Sequence, residues 1–172
     1  VFIMNFLEKN NFGIKYWTID SWEESGFVHG FVGADLNLRG SKDPAEKFLA
    51  SLINKETVEL SLLKQIHSDK IVLVTENSIQ KIRTEILEAD GWTVDTKDFK
   101  DSNLSFGIIT ADCYPVIIYC PVTKLAANLH CGWRGTVSGL LIKEIKELEK
   151  NGAKISNLEV AIGPGAGACC YE

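Results

Sequence analysis

The chain has no excess of positive charge. Its 18 lysines and arginines stand against 23 aspartates and glutamates, a formal net charge of -5. That leaves no basic footprint for a phosphate backbone and excludes nucleic acid as an expected partner. Long apolar runs are missing too. The opening VFIMNFLEKNN has a short apolar stretch, no basic segment before it and no small-residue cleavage site, and it is far shorter than a membrane span. It reads as an edge strand of a soluble protein with no membrane partner. Histidine is scarce, with three in the chain, and Met4 is the single methionine. The five cysteines, at 113, 120, 131, 169 and 170, form an odd set with one adjacent pair. No disulfide framework follows from that spacing, and a reducing cytoplasm is the expected compartment.

What is present suffices for a core: 172 residues, 45% of them hydrophobic, predict one compact domain spanning 1–172. GFVHGFVGADLNLRG reads as a strand followed by a polar connection. After it, Asp43 as N-cap, Pro44 in the first helical position and Glu46 completing a capping box predict a helix ending near Asn54. TVELSLLKQIH and KIVLVT are β-rich runs parted by Ser68-Asp69, which predicts a hairpin with His67 at its tip. Residues 78–88 carry isoleucines and a leucine at helical spacing, and DGWTVDTKDFKDSN reads as an irregular polar connection. From 105 the order is strand, turn, strand, helix, strand, the helix running from Thr136 to Lys150 with Gly152 past its end. Mixed strands and helices imply an α/β or α+β layered domain with a mixed sheet.

The chemistry concentrates in ITADCYPVIIYCPVTKLAANLHCGWRG. With PVTK as the turn, Cys120 faces Leu125, Tyr119 faces Ala126 and Pro115 faces His130, which leaves Cys113 two residues beyond the last pair. At about 3.3 Å per strand residue, Cys113 and His130 start roughly 7 Å apart, and a small bulge at Ala111-Asp112 would bring them into contact. They could act as thiolate nucleophile and base, or as ligands of one metal. His67 is better placed than His29 to supply a third ligand, because a turn residue can approach the end of another hairpin. Two imidazoles and a thiolate suit tetrahedral zinc with a fourth position open to water, the arrangement of a catalytic site. Asp112 is a candidate proton carrier. Arg134, just before the expected helix start, is a candidate phosphate binder, and Trp133 could wall a pocket. Cys131 adjoins His130 but points to the opposite face of the strand. The glycines at 163, 165 and 167 lack dinucleotide-binding spacing and read as a tight loop.

KQIHSDKIV, TADCYPVIIYCP, NLHCGWRG and AIGPGAGACCYE, in this order, resemble the YfiH-like family, also called laccase-domain or multicopper polyphenol oxidase proteins. The resemblance covers residues 65–172 and is weaker over VHGFVGADLNLRGSKDP. It implies a layered α/β fold distantly similar to the catalytic domain of cytotoxic necrotizing factor. It also implies a cytoplasmic purine nucleoside phosphorylase that deaminates adenosine, with zinc held by His67, Cys113 and His130, and purine nucleosides and phosphate as its small-molecule partners. Copper follows from the family label only, since three histidines and Met4 cannot furnish a blue copper centre plus a multinuclear cluster. Family members usually have alanine at the position of Cys131, carry an early threonine-arginine and double-glycine segment absent here, and continue past CCYE, so a C-terminal portion is expected beyond Glu172. Three alternatives stand beside this reading: a metal-free cysteine hydrolase or deamidase using Cys113 and His130, a non-enzymatic zinc-stabilised module, and, by resemblance alone, a cell-wall peptide editing factor. The oligomeric state is not legible.

Overall fold

The computed structural model describes residues 5–36, 38, 40–99 and 101–170. The chain divides into two compact units, residues 1–60 with 103–105 and residues 61–102 with 106–172. In the first unit, β1 (Phe6–Asn11) and β2 (Ile14–Ile19) pair antiparallel, and β3 (Phe31–Val32) completes a sheet of order β1-β2-β3. The opening run is thus an edge strand over its described part; its first four residues lie outside the described residues. Phe12 (φ 51°) and Gly13 (φ 80°) turn between β1 and β2 with positive φ at both central positions, which matches the right-handed strand twist. Two helices follow in this unit, α1 (Asp20–Glu24) and α2 (Asp43–Leu52).

The N-cap of α2 is Lys42, one residue earlier than the sequence suggests. Glu46 makes no capping box because its carboxylate accepts the Leu60 N–H at 2.9 Å. His29 is structural: its Nε2 accepts the Ile19 N–H at 2.7 Å and its Nδ1 bonds the Phe27 carbonyl at 2.8 Å. Both ring nitrogens are used by backbone, and burial holds the imidazole below its ordinary pKa, in the neutral form.

The second unit holds a five-stranded sheet of order β10-β8-β9-β6-β5, made of β5 (Val72–Val74), β6 (Gly91–Asp95), β8 (Tyr114–Tyr119), β9 (Leu125–Cys131) and β10 (Glu159–Ile162). Three of its pairs are antiparallel, and β5 runs parallel to β6. This is the mixed sheet of an α+β fold. The strands β4 (Glu59–Leu62) and β7 (Leu104–Gly107) pair in a separate two-stranded ladder. The helices of the second unit are α3 (Glu76–Thr84), α4 (Trp133–Val137) and α5 (Leu140–Lys150).

The β8–β9 register is the one read from the sequence, with Tyr119 opposite Ala126 and Pro115 opposite His130. Alternate residues Val116 and Ile118 of β8, and Leu125, Ala127, Leu129 and Cys131 of β9, pack in one core cluster with Leu140 and Leu148 of α5. Both strands are buried on nearly every residue, as expected when both faces of a sheet are covered.

Four expectations are corrected. The β4 and β5 runs do not form a hairpin, since β4 pairs with β7 and β5 with β6, so His67 lies in a loop between strands of different sheets. The DGWTV stretch is not irregular: β6 lies between β9 and β5, with Trp92 and Thr93 buried. Its Asp-Gly start mimics a turn, but Gly91 is there for space, because a Cβ on it would sit 2.6 Å from Leu129 Cδ2. The 136–150 helix is split, because Gly139 at φ 88° breaks it, and the Thr136 hydroxyl donates to the Gly132 carbonyl at 2.9 Å instead of capping. The 78–88 helix occupies 76–84, started by a capping box of Thr75 and Ser78.

Glu144 of α5 is fully buried, and its carboxyl meets the Thr93 hydroxyl at 2.9 Å. Burial is the main force pushing its pKa up to about 8; the Thr93 hydrogen bond opposes this and the charge of Glu147 adds to it. An unfolded glutamate titrates at about 4.3. The folded state therefore binds more protons between that value and about pH 8, and stability falls as pH rises through the window. Glu144→Gln removes the titration. Thermal melts should show the variant about 3 °C or more above the parent at pH 9, with the gap closing or reversing at pH 5.

Candidate metal centre

Cys113 stands one residue before β8, and His130 is the penultimate residue of β9. Tyr114 pairs with Cys131, so continuing the ladder places Cys113 beside Gly132. The approach is tight. A Cβ on Gly132 would lie 2.9 Å from His67 Cδ2 and 3.0 Å from Cys113 Sγ. The backbone of Gly132 (φ -74°, ψ 160°) is one any residue adopts, so space rather than conformation requires glycine.

One ligand atom from each of His67, Cys113 and His130 lies within 4.8 Å of the others, and this is the single such group of three or more among the described residues. The His67 and His130 rings meet edge to face at 4.8 Å. His130 is buried, Cys113 half-buried and His67 exposed, so the cluster opens to solvent on the His67 side.

Asp90, which the sequence reading missed, organises this cluster. Its fully buried carboxylate accepts the backbone N–H groups of Ile66 (3.3 Å), His67 (2.9 Å) and Ser68 (2.6 Å), and the Ser68 hydroxyl (2.7 Å). Its Oδ1 lies 2.9 Å from His130 Nδ1. The His67 backbone, at φ 57°, is in the left-handed region. That conformation lets successive N–H groups converge on one anion as a nest, and the anion here is a side chain of the same protein.

Burial alone would raise the Asp90 pKa. The hydrogen bonds from His130, Ser68 and His67 outweigh it and hold the carboxyl below its ordinary value. An ionised Asp90 makes His130 Nδ1 the donor and leaves Nε2 as the free lone pair, the usual outer arrangement of a metal-binding imidazole. Nothing in the local sequence announced this role, because Asp90-Gly91 has the composition of a turn.

Gln65 fastens the two ligand loops together. Its amide nitrogen donates to the Ile109 carbonyl at 2.7 Å, and its amide oxygen accepts the Ile109 N–H at 2.8 Å. The loop carrying His67 is thereby tied to the segment that runs into Cys113.

The remaining expected residues are placed as follows. Asp112 is exposed, and its charge adds to burial in pushing the Cys113 thiol above its ordinary pKa, with Asp90 a further contributor. Trp133 and Arg134 are exposed; the guanidinium lies 5.3 Å over the indole. Arg134 is the second residue of α4 rather than the residue before a helix, because the helical turn starts straight after Gly132. Cys131 belongs to the core on the far face, and burial, reinforced by Cys113, pushes its thiol up to about 11. It is no ligand. The 163–167 loop flanks Cys113: Ala166 N–H donates to the Asp112 carbonyl at 2.9 Å and Tyr114 hydroxyl to the Ala166 carbonyl at 2.7 Å. Gly165 rests on the Tyr114 ring, where a Cβ would come within 2.7 Å.

The donor set fits a metal. Two imidazoles and a thiolate are the donor types of a tetrahedral zinc site, their ligand atoms lie within 4.8 Å of one another, and Gly132 leaves room for the His67 and Cys113 side chains to converge.

Comparison with known proteins places the chain in a family. Residues 43–172 match the model of a family described as multi-copper polyphenol oxidoreductase laccase. A purine nucleoside phosphorylase of Clostridium acetobutylicum is 37% identical over 116 residues, 66% of this chain and 44% of that protein. An adenosine deaminase from an unknown prokaryotic organism is 27% identical over 124 residues, 72% of this chain and 47% of that protein. The crystal structure of the Bacillus licheniformis hypothetical protein YfiH superposes with a TM-score of 0.70 at 23% identity, covering 91% of this chain and 64% of that one. That likeness shows the fold. The chain spans about half the length of the curated relatives it matches.

Gly132→Ala should place a methyl between His67 and Cys113 and lower zinc affinity at least tenfold, measured by competition with a chelating dye, while circular dichroism stays unchanged. Asp90→Asn should cost about 10–100-fold in zinc affinity and lower the melting temperature by several degrees, because an amide presents N–H groups to the nest and leaves buried donors unpaired.

Proposed function

The chain belongs to the multi-copper polyphenol oxidoreductase laccase family, and from that membership and the geometry of its site we propose that it is a zinc-dependent enzyme of purine nucleosides, cleaving them with phosphate and deaminating adenosine. The observation that carries the reading is the His67–Cys113–His130 cluster, in which Asp90 holds the His67 loop and His130. The names of the phosphorylase and deaminase relatives supply the substrate class. A multi-copper centre does not fit: the chain has three histidines, and both ring nitrogens of His29 are bonded to backbone.

His67, Cys113 and His130 would hold the zinc. When bound, zinc supplies a Lewis acid that makes water a nucleophile near neutral pH. In deamination, water replaces the amine of adenosine to give inosine and ammonia. The Asp112 carboxylate would carry a proton from the attacking water to the leaving amine. In phosphorolysis, phosphate takes the sugar carbon and the purine leaves. Arg134 would neutralise the phosphate, and the exposed indole of Trp133 offers a face for a purine ring.

One observation favours a second reading. Cys113, His130 and Asp90 also have the order of a nucleophile, a base and an orienting carboxylate. A metal-free cysteine hydrolase built on them needs no His67 and would survive chelation.

Elemental analysis and nucleoside assays decide between them. We expect about one zinc per chain, inosine from adenosine, and base release that requires phosphate. His67→Ala should abolish zinc retention and cut turnover at least 100-fold with the fold intact. Arg134→Ala should raise the KM for phosphate about tenfold and leave deamination within twofold. Full activity of His67→Ala after chelation would select the cysteine hydrolase.

A further inference from the structure

The five cysteines separate into three groups. Cys120 and Cys131 are buried in the core of the second unit, and Cys113 belongs to the ligand cluster. Cys169 and Cys170 have no part in either. Both are exposed free thiols, and their sulfur atoms lie 3.2 Å apart. The pair sits in a tight turn closed by the Cys170 N–H donating to the Gly167 carbonyl at 2.9 Å. That turn continues the glycine loop, which is fastened to the residues flanking Cys113 through Ala166, Asp112 and Tyr114.

We propose that Cys169 and Cys170 form a modification site, a vicinal dithiol that hydroperoxides oxidise reversibly to a disulfide. One thiolate attacks a peroxide oxygen; the O–O bond breaks, a sulfenic acid forms, and the departing oxygen leaves as water or an alcohol after taking up a proton. The neighbouring thiol then attacks the sulfenic sulfur. The S–O bond breaks, the S–S bond forms, and water leaves with the second proton. The two sulfurs surrender two electrons and the peroxide accepts them. Contact between the sulfurs lets the second step proceed without opening the loop. It also protects Cys169 or Cys170 from further oxidation, because the resolving thiol is already in place.

Reversibility follows from geometry. Consecutive Cα atoms are about 3.8 Å apart, short of the roughly 4.4–6.8 Å that relaxed disulfides span. A strained and exposed disulfide is readily reduced.

The test uses the zinc-loaded full chain treated with hydrogen peroxide, followed by intact mass, peptide mapping and thiol titration under denaturing conditions. The expected result is a loss of two hydrogens with no added oxygen, mapped to the peptide containing Cys169 and Cys170. Titratable thiols should fall from five to three and return with dithiothreitol. Cys169→Ser and Cys170→Ser should each abolish that product and accumulate oxygen adducts or intermolecular disulfides on the remaining thiol. Retention of all five thiols under peroxide that oxidises free dithiothreitol overturns the proposal. So does an oxidation that maps to Cys113, or one that persists unchanged in either serine variant. None of these outcomes depends on the nucleoside reading.

Discussion

The site depends on one buried carboxylate. Asp90 receives three consecutive backbone N–H groups, a hydroxyl and an imidazole, and its own carbonyl accepts the His130 N–H at 2.8 Å. A charge in that position is tolerable because so many dipoles face it. The same bonds impose the left-handed turn at His67 and the tautomer of His130. Two members of the cluster, from distant parts of the chain, are thus registered by one residue. Its lowered pKa gives the arrangement a pH sense: the stabilisation is complete above the ordinary aspartate range and is lost as pH falls through the depressed value.

Around this carboxylate the sheet acts as a rigid frame. β8 and β9 are buried on both faces, which fixes their register and with it the offset of Cys113 from His130. Space is then made by omission. Gly132 leaves out a side chain where the ligands converge. Gly135 does the same where α4 meets the His67 loop, since a Cβ there would lie 2.7 Å from the Ser68 carbonyl oxygen. Gly91 lets β6 pass under Leu129 and deliver Asp90 to the site. Each glycine is a packing requirement of a neighbouring functional element.

The electrostatics of the cluster suit a cation. Burial and the charges of Asp112 and Asp90 keep a proton on Cys113 when nothing else is near. A divalent ion held there would reverse that balance, because its field would favour the thiolate that the carboxylates oppose.

The approach of Cys113 to His130 was legible in the sequence because hairpin arithmetic is local. The PVTK turn sets the β8–β9 register, and the register sets where Cys113 and His130 fall. The mixed sheet and the positions of α2, α3 and α5 followed from periodicity for the same reason, although the caps read at Asp43, Glu46 and Thr136 did not hold. The part played by Asp90 was not legible. It arises between residues 22 to 40 positions apart, and the Asp-Gly dipeptide that delivers it carries the local signature of a turn. His67 was assigned to the right cluster for a wrong reason. The sequence placed it on a hairpin tip, whereas the fold holds it in a loop whose amides close on a buried anion. Local patterns determined β8 and β9, the α5 face and the spacing of the Cys113–His130 pair. Only tertiary structure could decide which backbone amides an interior charge would gather, because that choice depends on burial, and burial is a property of the assembled sheet and its neighbours.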